Sequence, residues 1–335
     1  MIARVITEKM VSDLKPECSF SCWYPTFKKD SLEATILDVP EDVLKYLEHD
    51  AFLLPIEAVK SLAEDSEWTD GSPVTGEDEE IQDHQPAFPE FSKKIQDVLN
   101  EYDAIFIKTN WSSPADATWV APTKTLKCRT LEEVYLLLKS SDRIAKDLNT
   151  VKSLKDCENP LSFSLVLKQW RDINPCTEFR CFVVDNELIA ISQRDISQYH
   201  SSNESEKYNI QTDIKSFFLE RIKGRFPLYN YSFDVVRRKK DNVKIIDFGP
   251  MNASSAKGTL FTYEELQNHI SDTPEFRFIG EDIGIQPKPP THFCIPQEIS
   301  EFFQSSDNVS LLNFIQREVE NQRKEHQDTN SSENT

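Results

Sequence analysis

Glycine is scarce in this chain, with seven in 335 residues. Neither a G-x-G-x-x-G turn nor a G-x-x-x-x-G-K-[ST] loop occurs, which excludes phosphate binding by the backbone nests of dinucleotide folds and P-loops. Positive charge is short too. The 38 Lys and Arg stand against 57 Asp and Glu, a formal charge of −19. That argues against direct binding to nucleic acid or to anionic membranes, both of which need a positive footprint. No apolar run approaches the roughly 20 residues of a membrane-spanning helix. Met1-Ile2-Ala3-Arg4-Val5 gives way at once to charged residues with no secretory leader, so a cytoplasmic protein is expected. The seven cysteines are scattered, and Cys18 and Cys22 have no second pair at zinc spacing, so they read as reduced thiols. A protein with a basic face is the partner that suits this charge balance.

What is present is the material of a sizeable core: 38% hydrophobic residues, 10% aromatic, over a length that suggests about two domains. Residues 1–63 form the first part of one lobe, aromatic-rich at 18–27 and partly helical at 37–51. Residues 64–90 carry ten acids and no Lys or Arg, with Gly71, Pro73, Gly76, Pro86 and Pro89 among them. Such a stretch repels itself and buries little, so a mobile insertion is expected, with an acidic docking strip as the alternative. Residues 91–160 complete the first lobe, 161–290 form a second, and 291–335 are an extension ending in a polar, disordered tail. Within the body a helix at 91–101 leads into a strand at 104–108. Thr130-Leu131-Glu132-Glu133 is a capping box before the apolar stripe of a helix. A strand at 161–170 precedes a hairpin of 178–184 and 188–194 around Asp185-Asn186. A helix at 212–223 follows, and Thr262 to Glu265 is a second capping box, stapled by Phe261. The order is α+β and rich in antiparallel hairpins.

Residues 233–248 carry the most information. Val235-Val236 and Val243 to Ile246 are β-branched runs on either side of a basic turn, with an aspartate on each arm, and read as a β-hairpin. Pairing across that turn brings Asp234 and Asp247 together. Two such carboxylates repel unless a cation neutralises them, and hard oxygen ligands favour Mg²⁺ held jointly with a nucleotide's phosphates. The alternative is two ordinary aspartates at strand ends. Asp247-Phe248-Gly249 imitates the metal-binding triplet of protein kinases, but the His-Arg-Asp loop and glycine-rich loop that kinases need are missing.

Cations stand where strands should be buried: Lys108 ends one, Lys168 precedes Gln169 and Trp170, Arg180 lies between Phe179 and Phe182, and Arg194 closes the next. Buried cations cost desolvation unless an anion meets them, and phosphate oxygens do so well. The combination follows the logic of an ATP-grasp fold, with the nucleotide clamped between two α+β lobes by strand-borne side chains.

The runs FIKTNWSSPADATW (106–119), EFRCF (178–182), ISQRD (191–195) and 233–250 resemble, in this order, the cell division cycle protein 123 family. The resemblance implies an ATP-grasp-like fold, ATP and Mg²⁺ as ligands, and the role of an assembly chaperone whose client is the gamma subunit of eukaryotic translation initiation factor 2, in support of translation initiation and the cell cycle. It implies a monomer with no assignable ligase activity. By position, Lys108 corresponds to the phosphate-side lysine, Lys168, Gln169 and Trp170 to the segment beside the adenine, and Arg180 to a phosphate-reaching arginine; Arg194 joins the ATP site. Asp234 and Asp247 correspond to the metal aspartates. The family's third metal ligand is an Asn where this chain has Gly249, with water or Asn252 the expected substitutes. The competing readings are an ATP-grasp carboxylate-amine ligase and a scaffold that nucleotide merely stabilises.

Overall fold

A four-stranded and a five-stranded sheet organise the computed structural model, which describes residues 14–49, 53–59, 85–154, 160–268 and 273–281. The first sheet comprises β1 (Thr35–Asp38), β2 (Ile105–Lys108), β3 (Lys127–Cys128) and β4 (Ser164–Gln169), in the order β1-β4-β2-β3 and antiparallel throughout. The second comprises β5 (Glu178–Val184), β6 (Glu187–Gln193), β7 (Tyr231–Lys239), β8 (Asn242–Pro250) and β9 (Glu275–Arg277), in the order β8-β7-β5-β6-β9. Only β9 runs parallel to its neighbour, β6. The described residues all belong to one compact unit, Met1–His292; the second unit, Phe293–Thr335, lies outside the described residues, as does the expected polar tail.

Local chemistry explains the elements. Asp185 and Asn186 both take positive φ, 50° and 63°, which is the two-residue turn that suits the twist of the β5–β6 hairpin. Both capping boxes close: Thr130 with Glu133 starts α4 (Leu131–Lys139), and Thr262 with Glu265 starts α9 (Tyr263–Gln267). Earlier helices are α1 (Phe20–Phe27), α2 (Glu41–Glu48) and α3 (Pro89–Tyr102). Between the boxes lie α5 (Asp142–Ser153), α6 (Ser201–Ser205), α7 (Lys207–Phe217) and α8 (Ala253–Ala256). The helix expected at 212–223 starts earlier, because Ile210, Ile214, Phe218 and Ile222 carry one apolar stripe upstream. Its last turn, Phe218–Ile222, widens to π geometry before Gly224 at φ 72°.

Two boundaries move. The strand expected to open the second lobe, β4, pairs with β1 on one side and β2 on the other, in the first sheet. It is buried on both faces up to Gln169, and such an apolar run carries no signal of which sheet it joins. The acidic segment also ends earlier than residue 90. Phe88 is buried against Tyr46 and Tyr135, and its amide donates to the Glu57 carboxylate at 3.1 Å. The rest of that segment, residues 60–84, lies outside the described residues.

Core packing leaves the charged side chains on one face of each sheet, where Val166 still joins the second core and Phe182 a third. Ile105, Ile107, Leu165 and Leu167 turn into one core with α3, α4 and α5. Phe179, Cys181, Phe233, Val235 and Phe248 turn into a second core with α1 and α7. The alternate positions, Lys108 and Lys168 on the first sheet and Glu178, Arg180, Asp234 and Asp247 on the second, line a common cleft. Among the described residues, no helix is long and apolar enough to cross a membrane.

Candidate functional site

The β7–β8 hairpin sets Asp234 directly opposite Asp247, and Ser232 directly opposite Gly249. A one-residue bulge follows, since Asp234 pairs with Asp247 but Val235 pairs with Ile245. The bulge rephases β8, so Val243, Ile245 and Phe248 all reach the core while Asp247 stays on the cleft side. Ile246, left out of the pairing, offers its carbonyl to the Lys168 ammonium at 3.0 Å. Phe248 is stacked on Phe226 at 4.2 Å inside a continuous strand, which is no place for a kinase-type loop.

Every residue singled out from the sequence lines one cleft of about 730 Å³: Lys108, Lys168, Gln169, Trp170, Arg180, Arg194, Asp234, Asp247 and Gly249. Arg180 grips Asp234 with both prongs, Nε to Oδ1 at 2.7 Å and Nη2 to Oδ2 at 2.6 Å, and donates through Nη1 to the Ser255 carbonyl at 3.1 Å. Arg194 stands 3.9 Å from the same carboxylate. Lys108, from the other sheet, donates to Asp247 Oδ2. That contact ties the two sheets across the cleft. Lys168 shares its surroundings with Lys108 and Asp247, so its charged end belongs to the acidic part of the cleft, while Gln169 and Trp170 sit at the end of β4.

Burial and mutual charge reset these groups. Burial would raise the Asp234 carboxyl, but Arg180, Arg194 and Lys108 together hold it below the usual carboxylate range. Arg180 is the main cause of a lowered Arg194, followed by burial. Burial, then Lys108, bring Lys168 down to about 7 against the pull of Asp247. Burial, then Asp234, push Glu178 up to about 7, with Arg194 opposing.

Three contributors were not singled out in advance. The Phe20 ring lies under both lysines, 5.2 Å from Lys108 Nζ and 4.4 Å from Lys168 Nζ, a cation–π floor whose signal was the aromatic run 18–27. Glu178, two residues before Arg180, shares its face, which strand alternation could have shown. Asp147 is fully buried and accepts from Thr109 Oγ1, Trp111 N, Ser112 N and Ser112 Oγ at 2.5–3.1 Å, bracing the loop after Lys108; it lies 38 residues away and left no local signal. Asn252, an expected substitute ligand, lines the cleft with its side-chain oxygen engaged, accepting from Ser255 N at 2.8 Å to cap α8.

The cleft can hold a polyanion together with a divalent cation. Four cationic side chains face two aspartates, an excess that suits phosphates. Asp247 Oδ1 is a buried carboxylate oxygen with no hydrogen-bond partner, the kind of atom a cation satisfies. Among the described residues no group of three or more His, Cys, Asp or Glu could hold a metal alone, so a cation here needs oxygens from its ligand.

A model of the D123 family matches residues 23–303. The chain is similar to the Translation initiation factor eIF2 assembly protein of Xenopus laevis, with 35% identity over 318 residues covering 89% of this chain and 94% of that protein. It is also similar to Cell division cycle protein 123 of Yarrowia lipolytica, with 37% identity over 265 residues covering 77% of this chain and 69% of that protein. The solved structure of Cdc123 from Schizosaccharomyces pombe shares 34% identity at a TM-score of 0.62, covering 82% of this chain and 98% of that one. With the α+β fold, the order of the motifs and this degree of identity in agreement, the chain belongs to the D123 family, that of cell division cycle protein 123.

Proposed function

We propose that the protein binds Mg-ATP in this cleft and acts as an assembly factor for eukaryotic translation initiation factor 2, with the gamma subunit as its client, working as a cytoplasmic monomer in support of translation initiation. The observation that carries the ATP part is the buried, unpartnered Asp247 Oδ1 in one cleft with four cations, three of them on strands and Arg194 just past the end of β6. Relatives named eIF2 assembly proteins support that factor as the partner, and the gamma subunit is the client that the motif resemblance implies.

In this reading the fold is ATP-grasp-like, and side chains replace the absent glycine loops. Lys108, Lys168 and Arg180 bind phosphate oxygens, and Arg194 adds long-range attraction. Asp234 and Asp247 hold the cation, which supplies charge neutralisation when bound. The backbone at the end of β4, at Gln169 and Trp170, offers an edge for the adenine. The α5 residues Arg143 and Lys146 add charge at the cleft's rim. Asp147 keeps the loop after Lys108 from moving, so the lysine is presented in one place.

Purified full-length chain, mixed with isolated gamma subunit, tests the proposal. A stable complex that strengthens with Mg-ATP, and raises the yield of assembled heterotrimer, is the expected result. Unchanged trimer yield in cells depleted of the protein would sink the assembly role.

A further inference from the structure

The structure assigns Ser232 as a third protein oxygen of the cation site, with Gly249 kept free of a side chain so that the hydroxyl stays uncovered; this rests on the Mg-ATP reading above. Four positions make a square on the cleft face of the hairpin. Ser232 and Asp234 lie two apart on β7, Gly249 and Asp247 two apart on β8, and each pair faces the other across the ladder. All four line the cleft. Ser232 is only 2% exposed, and its side chain lines the cleft between Gly249 and Asp234. On the diagonally opposite corner, Asp247 Oδ1 is a buried oxygen with no hydrogen-bond partner among the described residues. An unsatisfied carboxylate oxygen and a hydroxyl on one small patch of the cleft suit the same ligand, a cation or a water held by one.

Gly249 explains how the hydroxyl stays available. Its backbone does not take a left-handed φ, so no conformational need demands glycine here. A Cβ built on Gly249 would instead meet Ser232 Oγ at 3.0 Å, tighter than most real contacts, so the hydroxyl would have to shift to make room. Any side chain at 249 therefore crowds the hydroxyl. The pair supplies an oxygen from β7 beside the two carboxylates, used directly or through one of the waters that Mg²⁺ keeps. Arg180 and Lys108 already occupy one oxygen or more of each aspartate, so an uncharged oxygen adds a ligand without adding repulsion.

Titration calorimetry on the full chain tests this, using Mg-ATP and, separately, ATP with the metal chelated. Ser232→Ala should weaken Mg-ATP by about tenfold, the scale of losing a supporting ligand interaction, and leave metal-free ATP within about twofold. Gly249→Ala, which retains the hydroxyl but crowds it, should do the same. Ser232→Thr, which retains the oxygen on a residue suited to strands, should bind near wild type. Thermal melts confirm that each variant is folded. Wild-type Mg-ATP affinity in folded Ser232→Ala, or a threonine variant as weak as the alanine one, overturns the assignment while leaving the ATP site standing. An equal loss for metal-free ATP also overturns it, making Ser232 a phosphate or fold contact. Failure of the wild type to bind Mg-ATP overturns both this inference and the reading beneath it.

Discussion

Lys168 allows the proposed nucleotide site to be tested through protons. Burial and the neighbouring Lys108 bring it down to about 7. At about pH 8 it is therefore charged in only about a tenth of the molecules. Phosphates entering the cleft favour its charged form and return it towards the ordinary lysine range, so ATP binding at that pH should take up about 0.9 proton. At about pH 6 Lys168 is charged beforehand, and its uptake falls to about 0.1. The sign follows from linkage: a site that gains a proton on binding loses affinity as pH rises, by up to about tenfold per pH unit above 7. Calorimetry in two buffers of different ionisation enthalpy reads the proton count. Lys168→Met should bind ATP more weakly at about pH 6 and abolish the uptake at about pH 8. Glu178, also near 7, is the other group able to take a proton, so Glu178→Gln serves as the control and should retain the uptake that depends on Lys168. No uptake by the wild type at the higher pH, or the same uptake after Lys168→Met, refutes the reasoning. The same shift sets a stability slope. Because folded Lys168 lies below its unfolded value, its charging penalty is complete below about 7 and relaxes as pH climbs towards the ordinary range, so Lys168→Met should flatten that rise.

Other substitutions divide the site. Asp234→Ala or Asp247→Ala should remove most of the Mg-dependent ATP affinity, read by calorimetry with and without metal; equal binding by mutant and wild type argues against the cation assignment. Lys108→Ala and Arg180→Ala should each weaken ATP by about 1.5–3 kcal/mol while sparing adenosine, and an equal drop for adenosine would make them supports of the fold. Asp147→Ala strands several buried donors and should lower stability by about 3 kcal/mol, seen as a lower denaturant midpoint; an unchanged midpoint would show that the loop after Lys108 is held by other means.

The parts of the site legible in the sequence were those carried by local patterns. β-Branched runs on either side of a turn located the hairpin and brought Asp234 and Asp247 together. Asp185-Asn186 and the two capping boxes fixed three further element ends. What stayed hidden depends on contacts distant in sequence. The bulge at Ile246 leaves no mark in composition, yet it decides that Ile245 joins the core and that a free carbonyl meets Lys168. The membership of β4 was invisible because both its faces are buried. Phe88 reads as part of an acidic stretch until Tyr46 and Tyr135 close over it.

The arrangement of charges explains why nucleotide and metal should act together. As it stands, the site neutralises itself: Arg180 holds Asp234, and Lys108 holds Asp247 from the opposite sheet. A metal ion arriving alone would find only Asp247 Oδ1 open; to use the other carboxylate oxygens it would have to displace Lys108 or Arg180 and leave that side chain without its anion, which is costly in a buried setting. Phosphates arriving alone draw the lysines and arginine away and strand two carboxylates. Arriving together, as the proposed function requires, the metal ion would take the carboxylate oxygens as the phosphates took the basic side chains, and no buried charge would be left unpaired. That exchange would replace the Lys108–Asp247 link, which joins β2 to β8 across the cleft, with a ligand that touches both sheets. In the proposed function the nucleotide thereby favours one arrangement of the sheets over another, and the client surface needs only to differ between the two for ATP to regulate assembly without being consumed.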